Sequence, residues 1–151
     1  MIRLLVISTF LGIGLIASSS LAAENGVASD PSQTLTKFLS IHSQGVNYEL
    51  GRGMPQDFTK AAEWYRRAAA LGHADAQNDL AKLYDDGRGV SQDSVQAYFW
   101  YTLAAQQGNA CAIIDRYRLG ERMSATQITK AQLLLNVWKS TSKGKVLSKI
   151  K

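Results

Sequence analysis

The chain has 151 residues, of which 46% are hydrophobic, and it carries 17 basic and 12 acidic residues for a formal net charge of +5. The positive excess is local, because five of the basic residues lie in the last 13 positions while residues 23–138 hold 11 basic and 12 acidic residues. This nearly neutral body argues against nucleic-acid binding, which needs a basic patch on the fold. The single cysteine, Cys111, excludes an intramolecular disulfide, and its apolar neighbours predict a small buried residue.

Residues 1–22 have the organisation of a secretory signal peptide. Arg3 supplies the positive start, residues 4–16 form the apolar core, and Ala22 ends a small-residue cleavage site. An uncleaved membrane anchor is the alternative, but the apolar run is shorter than the roughly 20 residues that a spanning helix needs. We therefore expect export and cleavage after Ala22, which places the mature protein in the periplasm or outside the cell.

Residues 23–32 predict a linker that leads into the first helix. Asp30 is a good N-cap residue and Pro31 suits the first helical position. Apolar residues at helical spacing then predict a helix to about Leu50, with Gly45 as a weak point in its middle.

The stretch that follows repeats itself after 36 residues. The fourteen identities are Tyr48, Gly51, Arg52, Gly53, Gln56, Asp57, Ala61, Trp64, Tyr65, Ala68, Ala69, Gly72, Ala74 and Ala76, which recur as Tyr84, Gly87, Arg88, Gly89, Gln92, Asp93, Ala97, Trp100, Tyr101, Ala104, Ala105, Gly108, Ala110 and Ala112. Such a period is the signature of a solenoid, in which each unit buries its apolar face on its neighbours.

Each copy predicts one turn followed by one capped helix. The Gly-Arg-Gly turns end the preceding helices, Asp57 and Asp93 cap helices that run to about Leu71 and Gln107, and a helix from about Ala74 to Asp85 lies between them. Because Asp57 and Asp93 occupy equivalent cap positions, we interpret them as caps and not as a catalytic carboxylate pair.

The pattern stops in the third unit. A fifth helix begins near Asn109, but Gly120 replaces a third tyrosine and no third Gly-Arg-Gly turn follows. Ser124 and Gln127 form a capping box for a last helix with Trp138 on its apolar side, which we interpret as a cap on the open end.

The predicted fold is all-α, a short right-handed α-solenoid of antiparallel helical hairpins with a C-terminal capping helix. The solenoid spans residues 33–142, with repeats at about 40–75 and 76–111 and the cap at 112–142. Residues 143–151 form a basic tail, which we expect to be a solvated end. A weak contact of its lysines with an anionic surface is the alternative.

These residues resemble the Sel-one-like repeat family, a branch of the TPR-like helical-hairpin repeats. The residues that define the repeat here are Tyr48, Gly51, Gly53, Asp57, Ala61, Trp64, Tyr65, Ala68, Ala69 and Gly72 in the first copy, and Tyr84, Gly87, Gly89, Asp93, Ala97, Trp100, Tyr101, Ala104, Ala105 and Gly108 in the second. The resemblance implies a non-enzymatic module that binds a protein or peptide at the bacterial cell envelope, as an adaptor, regulator or chaperone-like factor. Two copies fall short of the three or so that a stable array needs, so the flanking helices must contribute to the core or the protein must assemble.

An enzyme is the rival interpretation, since a cysteine-rich subset of the family is associated with binding or hydrolysing β-lactams. Cys111 alone cannot supply the cysteine pairs of that subset. Ser140 and Lys143 match Ser-x-x-Lys, but without the motif's companions. His42 and His73 have no Cys or second His beside them, so structural or solvent-exposed roles are favoured and we expect neither a metal nor another cofactor.

In a hairpin solenoid the first helices line the concave face, where partners usually bind. The 36-residue offset places six candidate contact residues on this face: His42, Val46, Asn78, Lys82, Ile114 and Arg118. Ile114 has an alternative and favoured interpretation as a core residue under the closing helix, because buried isoleucine is the commoner case. The acidic residues of the same helices, Asp75, Asp79, Asp85 and Asp86, are expected to be solvated.

Overall fold

The structure is a computed structural model that describes residues 31–148, with side chains described at position 36 and at 39–141. The chain forms α1 (Pro31–Leu50), α2 (Phe58–Ala70), α3 (Ala74–Asp86), α4 (Ser94–Gln106), α5 (Ala110–Arg122) and α6 (Ala125–Ser148). No strand occurs within residues 31–148, so the predicted all-α, TPR-like solenoid is confirmed. The signal peptide, the Asp30 cap and the last residues of the basic tail lie outside the described residues.

Consecutive helices pack against one another up to α5. Helix α1 contacts α2, α2 contacts α3, α3 contacts α4, and α4 contacts both α5 and α6. The last helix therefore packs mainly on α4 and does not pair with α5 as the second helix of a third hairpin. A short connection explains this difference, because only Met123 and Ser124 separate α5 from α6, whereas seven residues separate α3 from α4.

The predicted helix caps are present in both copies. Asp57 accepts a hydrogen bond from the Lys60 backbone N–H at 3.0 Å, and this bond is the main reason that the pKa of its carboxyl is lowered. Asp93 accepts from the backbone N–H groups of Val95 and Gln96 at 2.9 and 3.0 Å. The two carboxylates thus satisfy their own helix ends, as the sequence predicts.

Small residues at the repeated positions let the helices approach closely. Ala61, Ala68, Ala97 and Ala104 are fully buried between helices. Gly45 serves the same purpose in α1, since a Cβ atom at this position would overlap the ring of the buried Tyr65. The glycine that weakens α1 locally is therefore required by its packing on α2.

The second Gly-Arg-Gly turn packs on the first hairpin. Gly89 lies against the backbone of Phe58, where no Cβ atom would fit, and the Arg88 guanidinium lies 5.0 Å from the centroid of the Phe58 ring. Arg88 also approaches Glu49 at 4.0 Å. The first turn has no such neighbour, since a Cβ atom at Gly53 would meet nothing within 4 Å.

Helix α6 covers the second hairpin with the aromatic side chain of Trp138. Trp138 meets Trp100 at a centroid distance of 5.6 Å and Phe99 at 5.8 Å, both edge to face. The capping box forms as predicted, with Gln127 N donating to Ser124 Oγ at 3.3 Å and Ser124 N donating to Gln127 Oε1 at 2.9 Å. The helix continues to Ser148, beyond the boundary predicted at residue 142.

One core prediction is wrong. Cys111 is exposed, not buried. Cys111 stands one repeat after Asp75, which is also exposed, so this helix position faces solvent in both units. The prediction was wrong because it relied on the apolar residues next to Cys111 in sequence.

Candidate functional site

The first helices of the hairpins, α1, α3 and α5, are joined by polar side chains. His42 Nε2 of α1 lies 2.9 Å from Asp79 Oδ2 of α3. Arg122 of α5 donates through one terminal nitrogen to both carboxylate oxygens of Asp85 of α3, at 3.1 Å each. Both pairs are 37 residues apart, one residue more than the repeat. These contacts make α1, α3 and α5 one continuous polar surface.

Two N-caps fix the start of α3 and α5 on this surface. His73 Nδ1 accepts from the Ala76 backbone N–H at 3.2 Å, and Asn109 Oδ1 accepts from the Ala112 N–H at 2.9 Å. His73 and Asn109 stand 36 residues apart, so equivalent positions of the repeat cap their helices with different side chains. His73 therefore has a structural role, as the N-cap of α3.

A cleft of about 470 Å³ lies on α3 and α5. Its lining residues are mostly charged: Asp85, Asp115, Tyr117, Arg118, Glu121 and Arg122. Tyr117 is 70% exposed, although an aromatic side chain normally buries much of its surface. We call this region the α3–α5 cleft, and it is the main candidate site on the described part of the chain.

The charges of the α3–α5 cleft are only partly compensated. Arg122 pairs with Asp85 at 3.1 Å, and Arg118 pairs with Asp115 at 3.5 Å. Glu121 makes no ion pair within the described residues. The cleft therefore presents an exposed ring beside a carboxylate that makes no ion pair within the described residues, although Arg118 and Arg122 also line the cleft.

Tyr101 of α4 is buried close to the same carboxylates. Burial raises the pKa of its phenol, and the negative charges of Asp115 and Asp85 raise it further. The phenol of Tyr101 therefore stays neutral beside these carboxylates.

A second polar cluster joins α1 to α3. The rings of His42 and His73 stack at a centroid distance of 4.8 Å, and His42 Nε2 is the atom that pairs with Asp79. Burial lowers the pKa of His73, and the charge that His42 can carry lowers it further. Among the described residues, no three His, Cys, Asp or Glu side chains come together in a way that could hold a metal ion.

The structure corrects one of the predicted contact residues and shows two others to be only partly accessible. Asn78 is only 4% exposed, so it does not belong to the outward stripe predicted for it with Lys82. His42 is half-buried and paired with Asp79, and Val46 packs against the core. Asn78 is buried because α3 is a middle helix that packs on both α2 and α4, whereas the spacing argument assumed one covered face.

The other three predicted residues are accessible. Arg118 lines the α3–α5 cleft, and Lys82 is part-exposed at 3.8 Å from Asp79. Ile114 is 53% exposed, so the favoured interpretation of this residue as core is wrong. Within residues 31–148 no further hairpin covers Ile114, because α6 packs on α4.

Most residues that line the α3–α5 cleft were not predicted from the sequence as site residues. Asp85 was expected to be solvated, yet it binds Arg122, and Asp79 likewise binds His42. The missed signal is a spacing of 37 residues between oppositely charged or hydrogen-bonding partners on the first helices of adjacent units. Tyr117 and Glu121 follow at a spacing of four on the exposed side of α5.

Ser140, the serine of the Ser-x-x-Lys motif, has a local structural role. Ser140 Oγ donates to the backbone carbonyl of Val137 at 2.8 Å within α6. The side chain of Lys143 lies outside the described residues.

None of the helices in residues 31–148 combines the length and apolarity needed to cross a bilayer.

Comparison with known proteins agrees with this architecture. The family model of the Sel1 repeat matches residues 45–73 and 74–109. A search of curated proteins gives no significant match.

Two solved structures are similar to this chain. The first is a protective antigen present in uropathogenic Escherichia coli strains that displays an SLR fold, with 27% sequence identity and a TM-score of 0.66. The match covers 80% of this chain and 27% of that one. The second is a Sel1 repeat protein from Oxalobacter formigenes, with 32% identity and a TM-score of 0.55 over 60% of this chain and 37% of that one.

The chain thus matches a minor part of each of these longer proteins. The repeat match and the shared SLR fold rest on the same helices that carry the 36-residue identity. The chain is therefore similar to Sel1-repeat proteins over two repeats that span residues 45–109, and its fold is a Sel1-like, all-helical solenoid.

Proposed function

We propose that the chain is a non-enzymatic protein-interaction module that binds a segment of another protein in the α3–α5 cleft. Sel1 repeats are typically protein-interaction modules. The observation that carries the proposal is the exposure of Tyr117 among the charges of the cleft. An exposed aromatic ring in a concave region with polar groups around it is the usual centre of a binding site.

The chemistry of the cleft favours a segment with a basic residue. Glu121 has no cationic partner among the described residues, and the ring of Tyr117 can accept a cation on its face. The two arginines already have carboxylate partners, Asp115 and Asp85. A lysine or arginine of the partner would therefore pair with Glu121 and lie over Tyr117, while an acidic segment would have to break existing ion pairs.

The proposed place of action is the cell envelope or the medium beyond it. Support comes from the signal-peptide pattern of residues 1–22 and its cleavage site at Ala22. The N-terminal residue and mass of the protein recovered from fractionated cells test this step. A chain that begins at Ala23 in the exported fraction supports it, and a chain that retains residues 1–22 in the cytoplasm contradicts it.

Selection of displayed peptides on the purified protein tests the binding proposal. We expect enriched sequences that contain lysine or arginine, and their affinity should fall at least tenfold with Tyr117→Ala or Glu121→Lys. Lys130→Glu, a change of charge on α6 outside the cleft, is the matched control and should leave the affinity unchanged. Peptides that bind all variants equally would contradict the cleft as the site.

A further inference from the structure

One side of α4 holds another helix of the fold. Trp138 of α6 packs edge to face on Trp100 at 5.6 Å and on Phe99 at 5.8 Å. Phe99, Trp100, Thr102 and Leu103 are only 5 to 7% exposed. This side of α4 is therefore a surface on which a helix docks through an aromatic side chain, as helices do in the grooves of recognition domains.

The equivalent positions of the first hairpin are not covered. They lie 36 residues earlier on α2 and are Glu63, Trp64, Arg66 and Arg67, in the order of Phe99, Trp100, Thr102 and Leu103. Glu63, Arg66 and Arg67 are exposed, and Trp64 is half-buried. Helix α2 packs mainly on α1 and α3, so within residues 31–148 no helix takes the place on α2 that α6 takes on α4.

The uncovered positions of α2 border a cleft. A cleft of about 320 Å³ is lined by Glu63, Arg66, Arg67 and Ala70. The Arg67 guanidinium lies 4.8 Å from the centroid of the Trp64 ring, so the indole adjoins the cleft. We call these five residues the α2 face. The repeat thus keeps the tryptophan that receives Trp138 on α4 but places it beside charged residues on α2.

Both arginines of the α2 face are held in place by neutral groups. Arg66 Nη2 donates to Tyr84 Oη at 3.2 Å, and Arg67 lies over the Trp64 ring. Neither arginine makes an ion pair within the described residues, and one acidic residue, Glu63, lines the cleft. A guanidinium that is already oriented keeps its donors for an external carboxylate and loses little freedom on binding. The α2 face is therefore suited to an acidic partner.

We propose that the α2 face binds an acidic helix of another protein. One aromatic side chain of that helix lies on Trp64, and its carboxylates pair with Arg66 and Arg67. The packing of α6 on α4 supplies the geometry, and the two arginines select the partner by charge. Helix α6 of a second copy does not fit this surface, because its described side chains include Lys130 and Lys139 and no acidic residue.

This site is distinct from the α3–α5 cleft and prefers the opposite charge. Glu121 and Tyr117 of that cleft favour a basic segment, whereas the arginines of the α2 face favour an acidic one. The chain would then hold two different partners, or two segments of one partner, on separate helices.

Binding of two synthetic peptides to the full chain as isolated from expressing cells tests the proposal. The probe has the sequence of residues 125–141 with Lys130→Glu and Lys139→Glu, and the reference peptide keeps both lysines. Fluorescence anisotropy measures both affinities. We expect the acidic peptide to bind at least about tenfold more tightly than the reference, and its affinity to fall as the salt concentration rises.

Charge reversal within the chain locates the binding site. Arg67→Glu should lower the affinity for the acidic peptide at least about tenfold. Arg52→Glu is the matched control, because Arg52 is exposed in the turn before α2 and does not line the cleft, so the affinity should stay unchanged. Tyr117→Ala should also leave it unchanged, which separates this site from the α3–α5 cleft. Circular dichroism of each variant checks the helical fold.

A photoreactive amino acid in place of Trp138 of the acidic peptide shows where the helix lies. We expect cross-links to residues 58–70. Cross-links to α4 would show that the peptide displaces α6, and they would overturn the proposal. Equal affinities for the two peptides, equal losses with Arg67→Glu and Arg52→Glu, or no binding of the acidic peptide would overturn it as well.

Discussion

Trp138 of α6 lies edge to face against Trp100 of α4, with ring centroids 5.6 Å apart. Trp64, one repeat before Trp100, has no such aromatic cover and instead lies 4.8 Å from the Arg67 guanidinium. The same tryptophan of the repeat is thus half-buried in the first hairpin and buried in the second. Trp138 of α6 is one of the side chains that cover Trp100, and Trp64 has no equivalent contact among the described residues.

Removal of this contact should destabilise the whole solenoid. We expect Trp138→Ala to lower the free energy of unfolding by about 2 to 3 kcal/mol, since a large aromatic side chain is lost from a partly buried site. Asn136→Ala, at an exposed position of the same helix, should change stability by less than about 0.5 kcal/mol. Urea denaturation followed by circular dichroism measures both, and equal effects would show that α6 does not stabilise the fold through Trp138.

Stability should fall when the pH drops below 6.5 because of His73. Burial and the neighbouring His42 lower the pKa of His73 from its usual 6.5, while Asp75 and Asp79 partly oppose this shift. The unfolded chain therefore binds a proton more readily than the native protein between 6.5 and the lowered pKa, so acidification favours unfolding over that range. The carboxyl of Asp57, whose pKa is lowered from 3.8, affects stability only in more acidic solution.

The repeat supplies the matched variant for this prediction. Asn109 caps α5 as His73 caps α3, so His73→Asn should keep the cap and remove the titrating group. Thermal unfolding from about pH 7.5 to 5 should show a smaller loss of stability for His73→Asn than for the native sequence. An unchanged pH profile would contradict the assignment to His73.

Two equivalent glycines should respond differently to the same substitution. Gly53 and Gly89 have similar left-handed backbones, with φ of 73° and 69°. Gly53→Ala should cost about 1 to 2 kcal/mol, which is the strain of the left-handed conformation alone. Gly89→Ala should cost about 1 to 3 kcal/mol more, because its Cβ atom would overlap the Phe58 backbone. Equal losses, measured by chemical denaturation, would show that the second turn does not pack tightly on the first hairpin.

The sequence predicts local structure well because each local feature depends on neighbouring residues. Asp57 and Asp93 cap their own helices, and Ser124 bonds to Gln127 three residues away. The 36-residue repeat then predicts how one hairpin packs on the next. These short-range and periodic signals suffice for the six helices and the solenoid class.

The site was harder to predict because its contacts join different hairpins. Asp85 and Arg122 are 37 residues apart, and neither belongs to the repeated set. Asn78 is buried and Ile114 is exposed, although the two positions are equivalent in the repeat. Burial depends on whether another helix covers the position. Such effects at the end of an array are invisible to a pattern that treats all copies alike.

Photo-cross-linking in intact cells tests the interaction module most directly. A photoreactive amino acid replaces Arg118 in the α3–α5 cleft or, as the control, Gln132, which is exposed on α6. We predict a discrete protein adduct from position 118 that is absent from position 132 and lost when Tyr117→Ala is combined with the probe. No adduct from position 118 at normal protein levels, or the same adducts from both positions, would contradict binding in the cleft.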